Sequence, residues 1–225
     1  MRFAKTLRII TTILLSLAAA MTLTVVEPTG CGIGSDGFAI VWDGEKLHGL
    51  NASGRSPASW HADLFAGKTA VPEIGWDAVT VPGAVSGWVA LAERFGTLPL
   101  TTLAQPAIDY ARNGFPVSPL IGHLWQRGYS KLKDQPGFSA CFAPEGRAPG
   151  VGEIFRNPAQ ANSLELIART NGEAFYRGEL AQKIAAFAKE HGAHLTARQA
   201  HAMTLLMNLS DNDLLDLLLD RKSVV

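Results

Sequence analysis

The chain has 225 residues and balances 20 Lys+Arg against 20 Asp+Glu, so its charge gives it no pull toward nucleic acid, and no basic run interleaved with aromatics restores one. With 47% hydrophobic and 18% charged residues it is globular rather than disordered, and long enough for one domain with a real core. Its two cysteines, Cys31 and Cys141, lie outside any Cys-x-x-Cys pattern and are too few for a disulfide framework.

The N-terminal stretch supports two readings. Residues 1–8 carry three positive charges, Ile9 to Leu17 is mostly apolar, and Ala18-Ala19-Ala20 offers an A-x-A cleavage site, which together match a secretory signal peptide. Whether the segment is cleaved or kept stays open, and with it a periplasmic or secreted against a cytoplasmic location. A membrane span is the weakest reading, because Ile9 to Val26 contains four threonines and a serine and is only marginally long enough.

Gly30, Gly32, Gly34 and Gly37 then form the densest glycine loop in the chain, and the apolar run Phe38 to Trp42 reads as a buried strand. Asp43-Gly44 is a hairpin turn signal, so Phe38–Trp42 and Lys46–Leu50 are expected to pair antiparallel, with Arg55 just past the second strand. Residues 57–77 read as loop with one short helix. Val81-Pro82-Gly83 leads into a helix over Val85–Phe95 with Gly96 as its C′ residue. A second helix is capped by Thr101 or Thr102, tolerates Pro106 near its first turn and ends at Asn113-Gly114. Ser118-Pro119 starts a third through about Lys133, and Asn157-Pro158 starts a fourth that stops at Asn171-Gly172. A fifth covers Glu179 to His191, and Thr196 to Gln199 is a capping box for another start. From about residue 199 the leucines, among them Leu214, Leu215, Leu217, Leu218 and Leu219, crowd too closely to leave a polar face. This tail needs burial and is an aggregation risk.

Several motifs carry little chemistry. Gly32-Ile-Gly34-Ser-Asp-Gly37 fits G-x-G-x-x-G, but the dinucleotide fingerprint needs a strand before it and a helix after, and here a strand follows. Cys31 has no neighbouring His or helix N-terminus to lower its pKa and reads as a plain loop thiol. His191, His194 and His201 lack the cysteine or carboxylate that would complete a zinc set at recognisable spacing, so no metal and no cofactor are expected. Asp109, Glu165 and Glu173 fall on helices or turns as solvated groups.

Three blocks in order carry a family resemblance. The first joins VVEP, the glycine loop with GSDGF, and ASGRSP; the second runs from Thr80 to Ser118; the third, Gly152 to Gly178, ends in a G-x-x-F-Y-x-G turn. Together they resemble the large subunit of the gamma-glutamyltransferase (gamma-glutamyltranspeptidase) family, from about Ala18 to Arg198. Residues 1–17 depart from that pattern as a signal-like or unrelated segment, 18–198 form a partial large-subunit-like domain, and 199–225 are an aberrant Leu-rich tail. The resemblance implies an α+β chain that holds part of a four-layer αββα N-terminal-nucleophile hydrolase fold, helix-rich after its hairpin.

It also implies a role for one side chain. In the family the arginine of the ASGRSP motif binds the α-carboxylate of the gamma-glutamyl group, and that position here is Arg55; a planar guanidinium fork suits a carboxylate. The alternative is a surface or structural arginine pairing with a neighbour such as Asp36. The family's nucleophile is an N-terminal threonine in a Thr-x-His-x-[Ser/Thr] motif, and none of the six histidines here has threonine two residues before it. The expectation is therefore a piece of an enzyme that acts on glutathione and related amides, inactive without its small subunit and oxyanion donors, with no catalytic residue of its own. The alternative is a non-catalytic remnant or binding protein that keeps only Arg55.

Overall fold

The computed structural model describes residues 2–57 and 60–191. The capping box and the Leu-rich tail lie outside the described residues. The chain divides into two compact units, one holding the described parts of 1–9, 34–90 and 172–225, the other 10–33 and 91–171. The architecture is α+β, helix-rich with two small antiparallel sheets among the described residues.

Helix α1 runs unbroken over Arg2–Val26, through both the apolar stretch and the alanine triplet. Within the second unit its Ile13, Leu17, Met21 and Val25 are buried at four-residue intervals, the spacing that gathers side chains on one helix face. The buried Thr24 hydroxyl donates to Met21 O at 2.7 Å, and Gln160 Nε2 donates to Thr24 O at 2.8 Å, giving that carbonyl of the last turn a partner. Among the described residues no helix is long and apolar enough to cross a membrane.

In the first unit, β1 (Gly37–Trp42) pairs antiparallel with β2 (Leu47–Ala52), Ile40 opposite Gly49 and Trp42 opposite Leu47. The Asp43-Gly44 turn forms as expected, with Gly44 at φ 103° and Asp43 N–H donating to Lys46 O at 3.2 Å. The second strand begins at Leu47 rather than Lys46, because Asp43 Oδ1 accepts from the N–H groups of both Glu45 and Lys46 at 2.8 Å and keeps Lys46 in the turn. One sheet face carries Gly37, Ala39, Val41, His48, Leu50 and Ala52 and receives helix α2 (Ala84–Phe95). A Cβ on Gly87 would stand 3.1 Å from that of Ala52. The other face carries Phe38, Ile40, Trp42 and Leu47, which are 72%, 79%, 54% and 55% exposed.

Between β2 and α2 the chain makes two short 3-10 turns, Ala62–Phe65 and Trp76–Ala78, where the sequence pointed to one helix. Gly96 does not turn left-handed after α2; its N–H still bonds Ala92 O at 2.8 Å, continuing the helical pattern. The first unit closes with α7 (Glu173–Tyr176) and α8 (Glu179–Glu190).

The second unit contains α3 (Leu100–Asn113), α4 (Pro119–Leu132), α5 (Phe138–Phe142) and α6 (Pro158–Arg169). Neither Thr101 nor Thr102 caps α3. Pro99 is the N-cap and its carbonyl accepts from Thr102 and Leu103 N–H, because burying Leu100 draws the helix start forward. Pro106 lies inside α3, past its first turn. Ser118 and Asn157 cap α4 and α6 through their side chains, accepting from Ile121 N–H and Gln160 N–H. Helices α3 and α6 bury Ala104, Ala107 and Ala111 with Ala161, Leu164 and Ala168, and Arg112 bridges their edge to Asn162 and Glu165 at 3.2 and 3.0 Å. Two-residue strands β3 (Phe115–Pro116) and β4 (Ile154–Phe155) pair antiparallel, and Trp125 packs on Phe155 with ring centroids 4.7 Å apart.

Candidate functional site

Arg55 projects from the loop that leaves β2, and its base is fixed by backbone chemistry. Gly54 takes φ +70°, a conformation L side chains rarely adopt, and a Cβ there would stand 2.1 Å from Val81 O. From the other side, a Cβ on Gly83 would stand 2.0 Å from Ala52 O and 2.8 Å from Gly54 N. Only glycine fits either place. The two backbones therefore lie against each other, and Val81 N–H donates to Arg55 O at 2.9 Å.

The Val81-Pro82-Gly83 loop is itself held on several points. Gly83 N–H and Ala84 N–H both donate to Ser35 O, at 3.2 and 2.9 Å, and Ser86 Oγ donates to Gly83 O at 2.7 Å. Tyr176, only 4% exposed, donates its hydroxyl to Pro82 O at 2.9 Å and accepts Ser86 N–H at 3.0 Å. Burial pushes the Tyr176 phenol up from its ordinary pKa, and the bonds to Ser86 act in the opposite direction. It stays a neutral donor at physiological pH.

The Arg55 side chain is exposed and makes no ion pair or hydrogen bond among the described residues. The expected alternative partner, Asp36, is close by but does not engage it: Asp36 Oδ1 and Thr80 Oγ1 each stand 3.2 Å from where a Gly54 Cβ would be. The loop thus presents an open guanidinium, an exposed carboxylate and a hydroxyl around one rigid glycine. A carboxylate ligand fits the first of these through two parallel N–H···O bonds.

Other candidates take structural places. The glycine loop lies between α1 and β1, the reverse of the order a dinucleotide fingerprint requires. Cys31 Sγ donates to Glu27 Oε2 at 3.3 Å; partial burial, then that bond, raises its pKa, which makes it a poor nucleophile. Among the described residues no three His, Cys, Asp or Glu side chains gather as a metal site, and His194 and His201 lie outside them. The carboxylates read as solvated are exposed, and each also accepts from a neighbouring side chain: Asp109 from Gln105, Glu165 from Arg112 and Glu173 from Arg177.

Sequence reasoning missed two groups. His48 is buried and its Nε2 lies 2.6 Å from Asp43 Oδ2, a bond that, with the Lys46 and Glu45 N–H groups, holds the Asp43 carboxyl far below the usual carboxylate range. The strand alternation that places position 48 on the same face as Val41 carried the signal. Tyr176 was visible only as part of a motif, since its partners lie 90 and 94 residues away.

Comparison with known proteins gives these residues a context. The family model described as Gamma-glutamyltranspeptidase matches residues 16–202. The chain is 38% identical over 184 residues to a glutathione hydrolase-like YwrD proenzyme of Bacillus subtilis, covering 80% of this chain and 35% of that protein. It resembles the crystal structure of a cephalosporin acylase from Bacillus halodurans with a TM-score of 0.78 and 47% identity, over 84% of this chain and 37% of the other. A gamma-glutamyltranspeptidase from Pseudomonas nitroreducens complexed with L-DON gives a TM-score of 0.76 at 28% identity, over 84% of this chain and 56% of the other. The chain spans about a third of the length of the curated relatives it matches.

Proposed function

Because this chain belongs to the gamma-glutamyltranspeptidase family, we propose that it supplies a donor-recognition part of an enzyme that transfers a gamma-glutamyl group from glutathione or a related amide to water or an amine. Arg55 binds the α-carboxylate of the donor. The observation that carries this reading is the open guanidinium on a turn whose backbone is fixed at both Gly54 and Val81. Relatives named for glutathione and for cephalosporin have in common an amide whose acyl group is removed, so the chemistry is acyl transfer and the choice of acyl group belongs to the recognition residues. A carboxylate-reading arginine favours gamma-glutamyl among these.

The nucleophile of this reading comes from a small subunit that begins with threonine. Its hydroxyl attacks the gamma-carbonyl while its own α-amino group takes the proton, and the acyl-enzyme then passes to water or an amine. The 225 residues contain no Thr-x-His-x-[Ser/Thr] sequence. The open Arg55 guanidinium taken by itself also fits a second reading, a non-catalytic carboxylate-binding protein. The test is release of chromophore from a gamma-glutamyl anilide by the purified chain, alone and with a threonine-led small subunit added. Turnover only in the mixture supports the proposal. No turnover in either, with L-glutamate still bound by the native chain and released in Arg55→Lys, supports the second reading, and turnover that follows this polypeptide alone through chromatography overturns both.

A further inference from the structure

Tyr176 is a buried phenol that the acyl-transfer reading leaves without a role. Its hydroxyl is bonded at both ends, donating to Pro82 O and accepting Ser86 N–H, and it therefore joins the loop before α2 to the first turn of that helix. Pro82 has no N–H of its own, so its peptide enters the hydrogen-bond network only through the carbonyl that Tyr176 holds. The residue before it, Val81, donates to Arg55 O at 2.9 Å, and its carbonyl closes over Gly54. Two hydrogen bonds joined through the Val81-Pro82 backbone thus link the Tyr176 hydroxyl to the backbone of Arg55.

We propose that Tyr176 is a positioning residue for Arg55, fixing the Val81-Pro82-Gly83 loop on which the Arg55 turn is registered; the proposal rests on the reading of Arg55 as the carboxylate-binding residue. Bidentate capture tolerates misplacement of only about 0.5 Å, so a loop relaxed at Pro82 costs the fork its second contact before it costs the unit its fold. Tyr176→Phe leaves the ring in place and removes the hydroxyl, and with it the bonds to Pro82 O and Ser86 N–H. The hydroxyl holds the loop against which Arg55 is registered, so its effect is expected on donor recognition.

The test is residue-resolved amide exchange on the full chain and its Tyr176→Phe and Arg55→Lys variants, with and without L-glutamate or 4-aminobutyrate, which lacks the α-carboxylate. In Tyr176→Phe, Val81 N–H is expected to exchange about tenfold faster, the change that follows from losing one hydrogen bond's support, while the β1 and β2 amides keep their rates. L-glutamate should protect the Arg55 turn in the native chain, not in Arg55→Lys, and only at about tenfold higher concentration in Tyr176→Phe; 4-aminobutyrate should protect none of them. Unchanged exchange at Val81 overturns the proposal, as does loss of protection across the hairpin in step with Val81, which would make Tyr176 a fold residue. A glutamate effect abolished by Arg55→Lys but untouched by Tyr176→Phe overturns the positioning role alone. Equal glutamate protection in the native chain and Arg55→Lys, or none in the native chain, overturns the Arg55 reading and the positioning role with it.

Discussion

Replacing Gly54 with alanine tests whether the Arg55 turn is built as rigidly as its geometry requires. At φ +70° the new side chain carries the left-handed penalty of an L residue, about 1–2 kcal/mol. Its Cβ would also stand 2.1 Å from Val81 O, a backbone atom that no rotamer change can move aside. Relief requires shifting Val81 and stretching its N–H bond to Arg55 O, worth about 0.5–1.5 kcal/mol. The expected loss is about 2–3 kcal/mol. Gly34, in the glycine loop of the same unit, is the control: nothing lies within 4 Å of its added Cβ and its φ is not positive, so Gly34→Ala should be neutral or stabilise by about 0.4–1 kcal/mol. Urea denaturation followed by fluorescence of the five tryptophans, at protein concentrations low enough to give concentration-independent midpoints, measures both. If Gly54→Ala is no more destabilising than Gly34→Ala, the turn is not held by Val81 and the account of how Arg55 is aimed fails.

Two further outcomes follow from the hairpin. The folded-state pKa of Asp43 is depressed by its bonds to His48 and the turn amides, so its contribution is fully present above the usual carboxylate range near pH ~4 and is lost as pH falls below it toward the folded value. Amide protection at the turn should therefore fall on acidification from about pH 5 to about pH 2, and Asp43→Asn should flatten that dependence; equal acid sensitivity in both proteins would refute the role of the pair. On the outer sheet face, Phe38, Ile40 and Trp42 form an exposed apolar row of the kind that drives association. The purified chain should bind a hydrophobic dye and elute above its monomer mass, and Phe38→Lys with Ile40→Lys should reduce both, whereas monomeric elution without dye binding would show that the face is covered.

How much of this could be read in advance depended on how local the cause was. The hairpin was legible because an Asp-Gly turn between two apolar stretches specifies it within about fifteen residues, but the continuous run Phe38–Trp42 suggested burial on both faces, whereas Phe38, Ile40 and Trp42 face outward. The Ser118-Pro119 and Asn157-Pro158 starts were legible because a cap acts on N–H groups three residues away. The start of α3 was misread since burial of Leu100, a tertiary effect, outweighed the threonine cap that local chemistry offered. The two-residue strands β3 and β4 are too short to have a period, and only the pairing of Phe115 with Phe155 across 40 residues defines them. At the proposed site, the motif alone pointed to Arg55. The reasons it is aimed, Gly83 against Ala52 and Tyr176 under Pro82, join residues far apart in the chain and became visible only in the fold.

The most direct measurement of the central claim is steady-state kinetics of Arg55→Lys in an assembly whose activity is restored by a threonine-led small subunit, using anilide donors with and without the α-carboxylate. A lysine keeps the charge and loses the fork, so KM for the gamma-glutamyl donor should rise roughly ten- to hundred-fold, the worth of about 1.5–3 kcal/mol in a charge-assisted contact, with kcat changed less. The 4-aminobutyryl donor, which offers the arginine nothing to hold, should be indifferent to the substitution. Equal effects on the two donors would mean that Arg55 does not read the carboxylate and is a structural residue of its turn.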